Sequence, residues 1–205
     1  MSAPTADGPG PARMGPGGLL VLLVVCLMPS FMRHMSSAVV LTDGFYAHGA
    51  LMISRGYAPY TDFTQVAFPL AEGVMALALR VFGENLLVLE ILNRVVLLGV
   101  AVLLWLGGRR LGSGFAGVLA AMLWSWCTWV VQFNLFERET WVALGTSAAL
   151  LLYLAPSSAG ADAEQAPPAG RRLVGIVLAL GLAFLFKITA VFFAAGMVLH
   201  LALRG

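Results

Sequence analysis

Long apolar segments separated by short polar ones make up most of this 205-residue chain. The clearest is Leu86–Leu106, whose 21 residues would form a helix of about 31 Å, close to the thickness of a bilayer's hydrocarbon core. The last apolar segment, Leu173–Leu203, is interrupted by Lys187 and fits either one strongly tilted helix or two short helices that meet near Lys187. Three further segments are candidate spans: Gly18–Met32, Phe115–Phe133 and Trp141–Leu154.

The segment between the first two spans is too apolar for a solvated loop and predicts two helices. Phe45–Ser54 has apolar residues at helical spacing, and Gly56 is positioned to end that helix. Pro69 is positioned to begin a second helix that runs to Gly83. The second stretch is too short and too polar to cross a bilayer comfortably. Residues 44–83 are therefore expected to form two interfacial helices on the membrane surface.

Two polar segments complete the predicted organisation. Residues 1–17, rich in Pro, Gly and Ala, predict a flexible cytoplasmic tail, and residues 155–172 predict a cytoplasmic linker. Residues 18–205 then form a single transmembrane module, expected to be incomplete at its C-terminus. A secretory signal peptide is the alternative for the first apolar segment, because Leu19–Met28 has the length of the hydrophobic region of such a peptide.

Arginines in the short loops predict the orientation, since cytoplasmic loops are rich in basic residues. Arg109–Arg110 and Arg171–Arg172 are accordingly expected on the cytoplasmic side. The loops that carry Asp43 and the cluster Glu137–Arg138–Glu139 then share the extracytoplasmic face.

Composition supports a membrane protein and excludes several other classes. The chain is 60% hydrophobic and 11% charged, whereas soluble domains carry about 25% charged residues. The formal net charge of +2 leaves no basic stripe for a nucleic acid. Cys26 and Cys127 lie in apolar segments, so neither a disulfide framework nor a zinc site is indicated. We expect an all-α, polytopic membrane protein with about 5–6 transmembrane helices besides the two interfacial ones.

Charged residues near the predicted membrane surface are the candidates for chemistry. Asp43, at the start of the first interfacial helix, is a helix N-cap, a carboxylate facing a substrate cavity, or both. Glu137 and Glu139 would point about 200° apart on a helix, so only one of them would face a given cavity. Lys187, the only lysine, lies in an apolar segment, where a cation needs a partner or a water-filled cavity.

Structural roles are the alternatives for these charges. The Glu137–Arg138–Glu139 cluster also fits a charged outer loop, and Lys187 also fits a side chain that snorkels from a helix end. Glu90 and Arg94 have the i, i+4 spacing of a structural ion pair. The histidines show no metal-ligand spacing.

The loop from Thr42 to Phe63 resembles a known family. It reads Thr-Asp-Gly-Phe-Tyr-Ala-His-Gly-Ala, then Ser-Arg-Gly-Tyr-Ala-Pro-Tyr-Thr-Asp-Phe, and Phe-Pro-Leu follows. Together with Val-Phe-Gly before the second span, Arg94 within it and Gly-Arg-Arg-Leu-Gly after it, this run resembles the N-terminal module of the GT-C glycosyltransferases. That superfamily includes protein O-mannosyltransferases and the lipid A aminoarabinose transferase.

The resemblance implies an inverting glycosyltransferase in the inner membrane, with its active-site loops on the extracytoplasmic side. It would move a sugar from a polyprenyl-phosphate donor to a hydroxyl of a glycan, lipid or protein acceptor. Asp43 matches the catalytic base, and Lys187 matches the cation that contacts the donor phosphate. The resemblance also implies Glu139, with Glu137 as its competitor, as the second acid, and Tyr60 and Asp62 in the substrate loop. The charge that gathers on the leaving phosphate needs fixed cations, and Arg138 or Arg55 is the candidate to assist Lys187 there.

Other functions stay open at this stage. Because relatives are longer, the chain is expected to act with a partner subunit if it is a truncated module. A non-catalytic lipid-binding or scaffold subunit is the alternative function, and a small solute carrier is a third. The residues require no cofactor and no metal, although nearby acids leave a divalent cation as an option.

Overall fold

A computed structural model describes residues 41–65, 68–111, 113–131, 138–154 and 170–204, together with positions 24, 25 and 28. In this part of the chain there are seven α-helices and no strand, which confirms the predicted all-helical class there. The helices are α1 (Leu41–Ser54), α2 (Leu70–Phe82), α3 (Leu86–Arg110), α4 (Gly114–Val131), α5 (Arg138–Tyr153), α6 (Gly170–Phe186) and α7 (Ala190–Arg204). The predicted tail, most of the first apolar segment and residues 155–169 of the predicted linker lie outside the described residues.

Both helices predicted between the first two spans are present. Gly56, just beyond the end of α1, has a φ of 95°, a backbone conformation that glycine adopts without steric cost. Pro69 is the N-cap of α2. Gly83 ends α2 with a φ of 97°, and its N–H donates to the carbonyl of Leu79 at 2.9 Å. Their location on a membrane surface stays a prediction.

Helices α1 and α2 lie side by side and point in the same direction. A Cβ added to Gly49, in the middle of α1, would lie 3.5 Å from Cγ of Glu72, in the first turn of α2. Near their C-terminal ends, the Arg80 guanidinium donates to the carbonyls of Ile53 and Ser54 at 2.9 and 2.8 Å. The segment that connects the two helices therefore runs back along the pair.

The main core forms where α1, α2, α3 and α5 meet the C-terminal end of α6. Ala50 and Ala71 are fully buried, and such small side chains allow α1 and α2 to pack closely. The buried members of this core are Ala50, Ala71, Met75, Leu79, Leu89, Val96, Trp141 and Phe186. A second, smaller cluster between α3 and α4 contains Ala101, Trp105 and Ala121.

Helix α3 is the described helix that is long and apolar enough, by length and composition, to cross a membrane. It has 25 residues, and the Asn85 side chain caps it by accepting a hydrogen bond from the Leu87 N–H at 2.9 Å. The predicted ion pair within α3 is confirmed, since the Arg94 guanidinium donates to Oε2 of Glu90 at 3.3 Å. The segments 114–127 and 190–203 are apolar but shorter, so the number of spans stays a prediction.

The last apolar segment forms two helices, which decides between the two options that the sequence left open. Helix α6 ends at Phe186 and α7 begins at Ala190. Across the break, the Lys187 N–H donates to the carbonyl of Ala183 at 3.1 Å, and the Ala190 N–H donates to the carbonyl of Lys187 at 3.2 Å. Helix α6 also begins at Gly170, so the predicted linker ends earlier than Arg172.

Candidate functional site

An ion pair joins the start of α5 to the break between α6 and α7. Lys187 Nζ donates a hydrogen bond to Oε1 of Glu139. The Lys187 and Glu139 side chains are 34% and 39% exposed, so the pair is only partly buried in the protein. Trp141, two residues after Glu139, contacts Phe186, the residue before Lys187, with the ring centroids 5.2 Å apart and the rings tilted by 39°. The expectation that Lys187 needs a partner is confirmed, and the partner is Glu139.

A second ion pair lies in the core, at the residue that precedes Glu139. Nε of Arg138 donates to Oε1 of Glu72 at 3.1 Å, and a terminal guanidinium nitrogen donates to the same oxygen. The Arg138 and Glu72 side chains are 6% and 1% exposed. The guanidinium carbon also lies 4.8 Å from the ring centroid of Tyr46, which is a cation–π contact. A buried charge needs a close counter-charge, and this pair joins α2 to α5 under a ring of α1.

Arg138, the candidate to assist Lys187 at the donor phosphate, is therefore bound to a carboxylate in the core. Its partner, Glu72, lies 66 residues earlier in the chain, and the sequence did not single it out as a site residue. One signal was available. Glu72 shares the apolar stripe of α2 with Met75 and Leu79, at i, i+3 and i+7 spacing, and an acid on such a stripe indicates a buried partner.

Asp43 lies within the first turn of α1. Because the helix begins at Leu41, Asp43 is its third residue and not its N-cap. It comes three residues before Tyr46, about 4.5 Å along the helix axis. Tyr46 contacts Arg138, and Arg138 precedes Glu139, so the backbone of Asp43 is one helical turn from a residue that contacts Arg138. Glu137 lies outside the described residues, and the catalytic roles of Asp43 and Glu139 stay predictions.

Arg55 lies at the other end of α1. It comes 12 residues after Asp43, about 18 Å along a helix. Its guanidinium makes two hydrogen bonds to the carboxylate of Glu84, at 2.7 and 3.2 Å, on the exposed surface. The hydrogen bond to Arg55 lowers the pKa of Glu84, and the same bond raises the pKa of Arg55. Arg55 thus has a carboxylate partner away from the Lys187–Glu139 pair.

Tyr60 and Asp62 belong to a tight turn after α1. Oδ2 of Asp62 accepts a hydrogen bond from the Ala58 N–H at 2.7 Å, and the Asp62 N–H donates to the Ala58 carbonyl at 3.0 Å. Tyr60 has a φ of 72°, a left-handed conformation that costs a non-glycine residue about 1–2 kcal/mol. Its N–H donates to the carbonyl of Phe63 at 3.0 Å. Asp62 holds this turn, and a role of either residue in substrate binding stays a prediction.

Two acids of the candidate site are engaged with cations. Glu139 binds Lys187, and Glu72 binds Arg138. Among the residues that the structure describes, no group of three or more His, Cys, Asp or Glu side chains is arranged to hold a metal ion. The participation of a divalent cation stays a prediction.

Comparison with known proteins identifies the family. Residues 66–205 match the family model described as dolichyl-phosphate-mannose-protein mannosyltransferase, which is more than half of the chain. This chain belongs to that family. It is thus a GT-C glycosyltransferase by family, as the resemblance of its first loop indicated. The matched range includes Glu72, Glu139 and Lys187, whereas Asp43 precedes it.

The family also indicates that the protein is located in a membrane. Members of the dolichyl-phosphate-mannose-protein mannosyltransferase family are membrane proteins, and the length and composition of α3 are consistent with this. The family implies a sugar donor linked to a polyprenyl phosphate. A search of curated proteins and a search of solved structures both found no match.

Proposed function

We propose that this chain is an inverting glycosyltransferase, or the N-terminal module of one, in the inner membrane. It transfers a sugar from a polyprenyl-phosphate donor to a hydroxyl on the extracytoplasmic side. The observation that supports this most is the environment of Lys187. The only lysine of the chain stands at a break between two apolar helices, partly exposed and held by one carboxylate. A cation so located is suited to receive a lipid phosphate.

The role of Lys187 follows from the charge that develops during transfer. When the bond between the anomeric carbon and the phosphate oxygen breaks, its electron pair moves onto the phosphate. A fixed cation stabilises that charge, and removing one such contact typically costs about 100-fold to 1,000-fold in rate. Glu139 holds the ammonium until the donor arrives. An ion pair of this exposure contributes about 1 kcal/mol or less, so a phosphate can replace the carboxylate.

Asp43 is the proposed base. The acceptor hydroxyl attacks the anomeric carbon from the face opposite the phosphate, which inverts the configuration, and its proton passes to the Asp43 carboxylate. The contact between Tyr46 and Arg138, one turn from Asp43 and next to Glu139, supports a location of the base near the cation. Glu139 is the proposed second acid, with Glu137 its alternative.

The two arginines that were candidates to assist at the phosphate are less suited to it than Lys187. Arg138 is buried against Glu72 and Tyr46, and Arg55 is bound to Glu84 at the other end of α1. We therefore assign the phosphate contact to Lys187. In the proposed arrangement α3 to α7 span the membrane, α1 and α2 lie at its outer surface, and the acceptor is a glycan, a lipid or a protein.

The test combines lipid binding with product formation. Protein purified in mild detergent is examined by native mass spectrometry for bound polyprenyl phosphate, in the wild type, in Lys187→Met and in the control Glu84→Gln. We expect the lipid to be lost only in Lys187→Met. Membranes that express Asp43→Asn at normal protein levels are then expected to lack the glycan product while the protein keeps the lipid.

Two results would change this conclusion. A wild-type protein that binds no polyprenyl phosphate would contradict the assigned donor. Lipid binding together with full product formation by Asp43→Asn would indicate the alternative, a lipid-binding or scaffold subunit that leaves the chemistry to a partner.

A further inference from the structure

The two ion pairs of the candidate site start from consecutive residues. Arg138 and Glu139 are the first two residues of α5 and point about 100° apart around its axis. Arg138 binds Glu72 of α2, and Glu139 binds Lys187 at the break between α6 and α7. Rotation of this first turn about the helix axis therefore moves both pairs together.

We propose that Glu72 is a positioning residue for Lys187. By holding Arg138, it sets the rotation of the first turn of α5, so that Glu139 faces Lys187. The claim that Glu72 sets the rotation of α5 is supported by the two ion pairs alone. Its consequence for the donor rests on the proposed function, in which Lys187 receives the lipid phosphate.

Burial indicates which of the two pairs controls the other. The Glu72 and Arg138 side chains are 1% and 6% exposed, whereas those of Glu139 and Lys187 are 39% and 34% exposed. Breaking a buried pair leaves an uncompensated charge in the core and is far more costly than breaking an exposed one. The first turn of α5 therefore takes the orientation that satisfies Glu72, and Glu139 follows.

The surroundings of Glu72 hold its carboxylate in one place. Gly49 of α1 lies opposite its side chain, and a Cβ there would be in ordinary contact with Cγ of Glu72 at 3.5 Å. Tyr46, on the same helix, covers the Arg138 guanidinium. The charge of Glu72 is thus enclosed by α1, α2 and α5, where a neutral side chain would leave Arg138 without its counter-charge.

The hydrogen bonds allow charge to be separated from shape in an experiment. Oε1 of Glu72 accepts both bonds from Arg138, whereas Oε2 has no hydrogen-bond partner among the described residues. Glu72→Gln keeps the size of the side chain and an acceptor oxygen but removes the negative charge. Arg138 must then turn toward water or another acid, which rotates the first turn and withdraws Glu139 from Lys187.

The test uses the single lysine as a chemical reporter. The full chain, purified in detergent, is treated with an amine-acylating reagent, and peptide mass spectrometry separates Lys187 from the N-terminal amine. Glu72→Gln is expected to raise the rate of Lys187 acylation about threefold to fivefold, which is the scale of a partly exposed ion pair, and Glu139→Gln is expected to raise it equally. Glu84→Gln is the matched control, because it removes the same charge from the exposed pair with Arg55, and its rate should equal that of the wild type.

A wild-type acylation rate in folded Glu72→Gln would overturn the proposal. If that variant does not fold, a double variant that exchanges the two charges, Glu72→Arg with Arg138→Glu, takes its place in the test. It restores opposite charges in the core, so a folded protein with the wild-type rate supports the proposal, and a folded protein with the raised rate of Glu139→Gln contradicts it.

A second measurement separates this inference from the proposed function. A polyprenyl phosphate added to the micelles should protect Lys187 from acylation. About threefold to fivefold less of it should be needed in Glu72→Gln than in Glu84→Gln, because Glu139 no longer competes with the phosphate for the ammonium. If no protection occurs but the acylation rate still responds to Glu72→Gln, the donor assignment fails and the positioning role stands. If protection occurs and neither the rate nor the protecting concentration responds, the positioning role fails and the donor assignment stands.

Discussion

Gly145 of α5 lies so close to Ala183 of α6 that a Cβ on Gly145 would be 2.8 Å from Cβ of Ala183. The same atom would lie 2.8 Å from the carbonyl oxygen of Ala179. Small residues on both sides thus allow the two helices to pack closely. Helix α5 carries Glu139 near its start, and α6 ends at Phe186, one residue before Lys187. The spacing of these helices therefore determines whether the ion pair can form.

Gly145→Val is expected to push α5 and α6 apart. Because the clash involves backbone as well as side chain, we expect a loss of about 1–3 kcal/mol in the free energy of unfolding, measured by thermal or denaturant unfolding in detergent. Gly181→Ala is the control on α6, since no atom lies within 4 Å of a Cβ at that position. Equal stability of the two variants would contradict close packing at Gly145.

The buried pair between Glu72 and Arg138 gives a second prediction. Glu72→Leu alone leaves a buried cation without its partner and should lower the free energy of unfolding by about 3–5 kcal/mol. Glu72→Leu combined with Arg138→Met replaces both charges with apolar groups, and most of that loss should be recovered. Unfolding of the wild type, both single variants and the double variant measures the coupling, and additive losses would show that the residues do not interact.

The exposed pair between Arg55 and Glu84 predicts a dependence on pH. Arg55 lowers the pKa of Glu84 from its ordinary value of 4.5. A lowered pKa in the folded state means that the contribution of the pair to stability is present above that ordinary value. It is lost as the pH falls through the lowered one.

The pKa of Glu84 can be measured directly through its side-chain carboxyl carbon by NMR. We expect a midpoint below 4.5 in the wild type and a return toward 4.5 in Arg55→Met, which removes the donor. The variant Arg80→Met is the control, because that guanidinium binds carbonyls of α1 and no acid within the described part of the chain. A midpoint that does not move in Arg55→Met would disprove the pairing.

The proposed base is tested by transfer kinetics. Asp43→Asn should reduce sugar transfer by at least about 100-fold, the scale of a positioned general base, and leave donor binding unchanged. Glu84→Gln makes the same acid-to-amide change at an exposed carboxylate that is paired with Arg55, just beyond the other end of α1. It should keep most of the activity. Similar losses in both variants would argue against a specific role of Asp43.

Local signals in the sequence were sufficient for the helix boundaries near the site. Helix α2 begins after Pro69, whose ring fixes φ, and ends at Gly83, which adopts a positive φ. Both effects act within a few residues. The likeness of the first loop to the GT-C glycosyltransferases likewise led to the family that the matched range 66–205 shows. The choice between one helix and two around Lys187 required the structure.

The pairing of charges was only partly predictable. Lys187 was expected to have a partner because an isolated cation in an apolar segment is costly. Glu90 and Arg94 were identified as a pair because four residues along one helix bring side chains together. Glu72 and Arg138, 66 residues apart, share no local pattern, so their contact depends on how α2 and α5 pack.

The sequence alone determined the apolar, helical character of the chain, the limits of α2 and the need of Lys187 for a partner. Each of these follows from periodicity, backbone preference or the cost of burying a charge, which act on a residue and its near neighbours. Only the tertiary structure decided that Glu139 meets Lys187 while Arg138 turns inward to Glu72. That choice depends on the rotation of α5 against three other helices, and helix rotation is set by side-chain packing across the whole core.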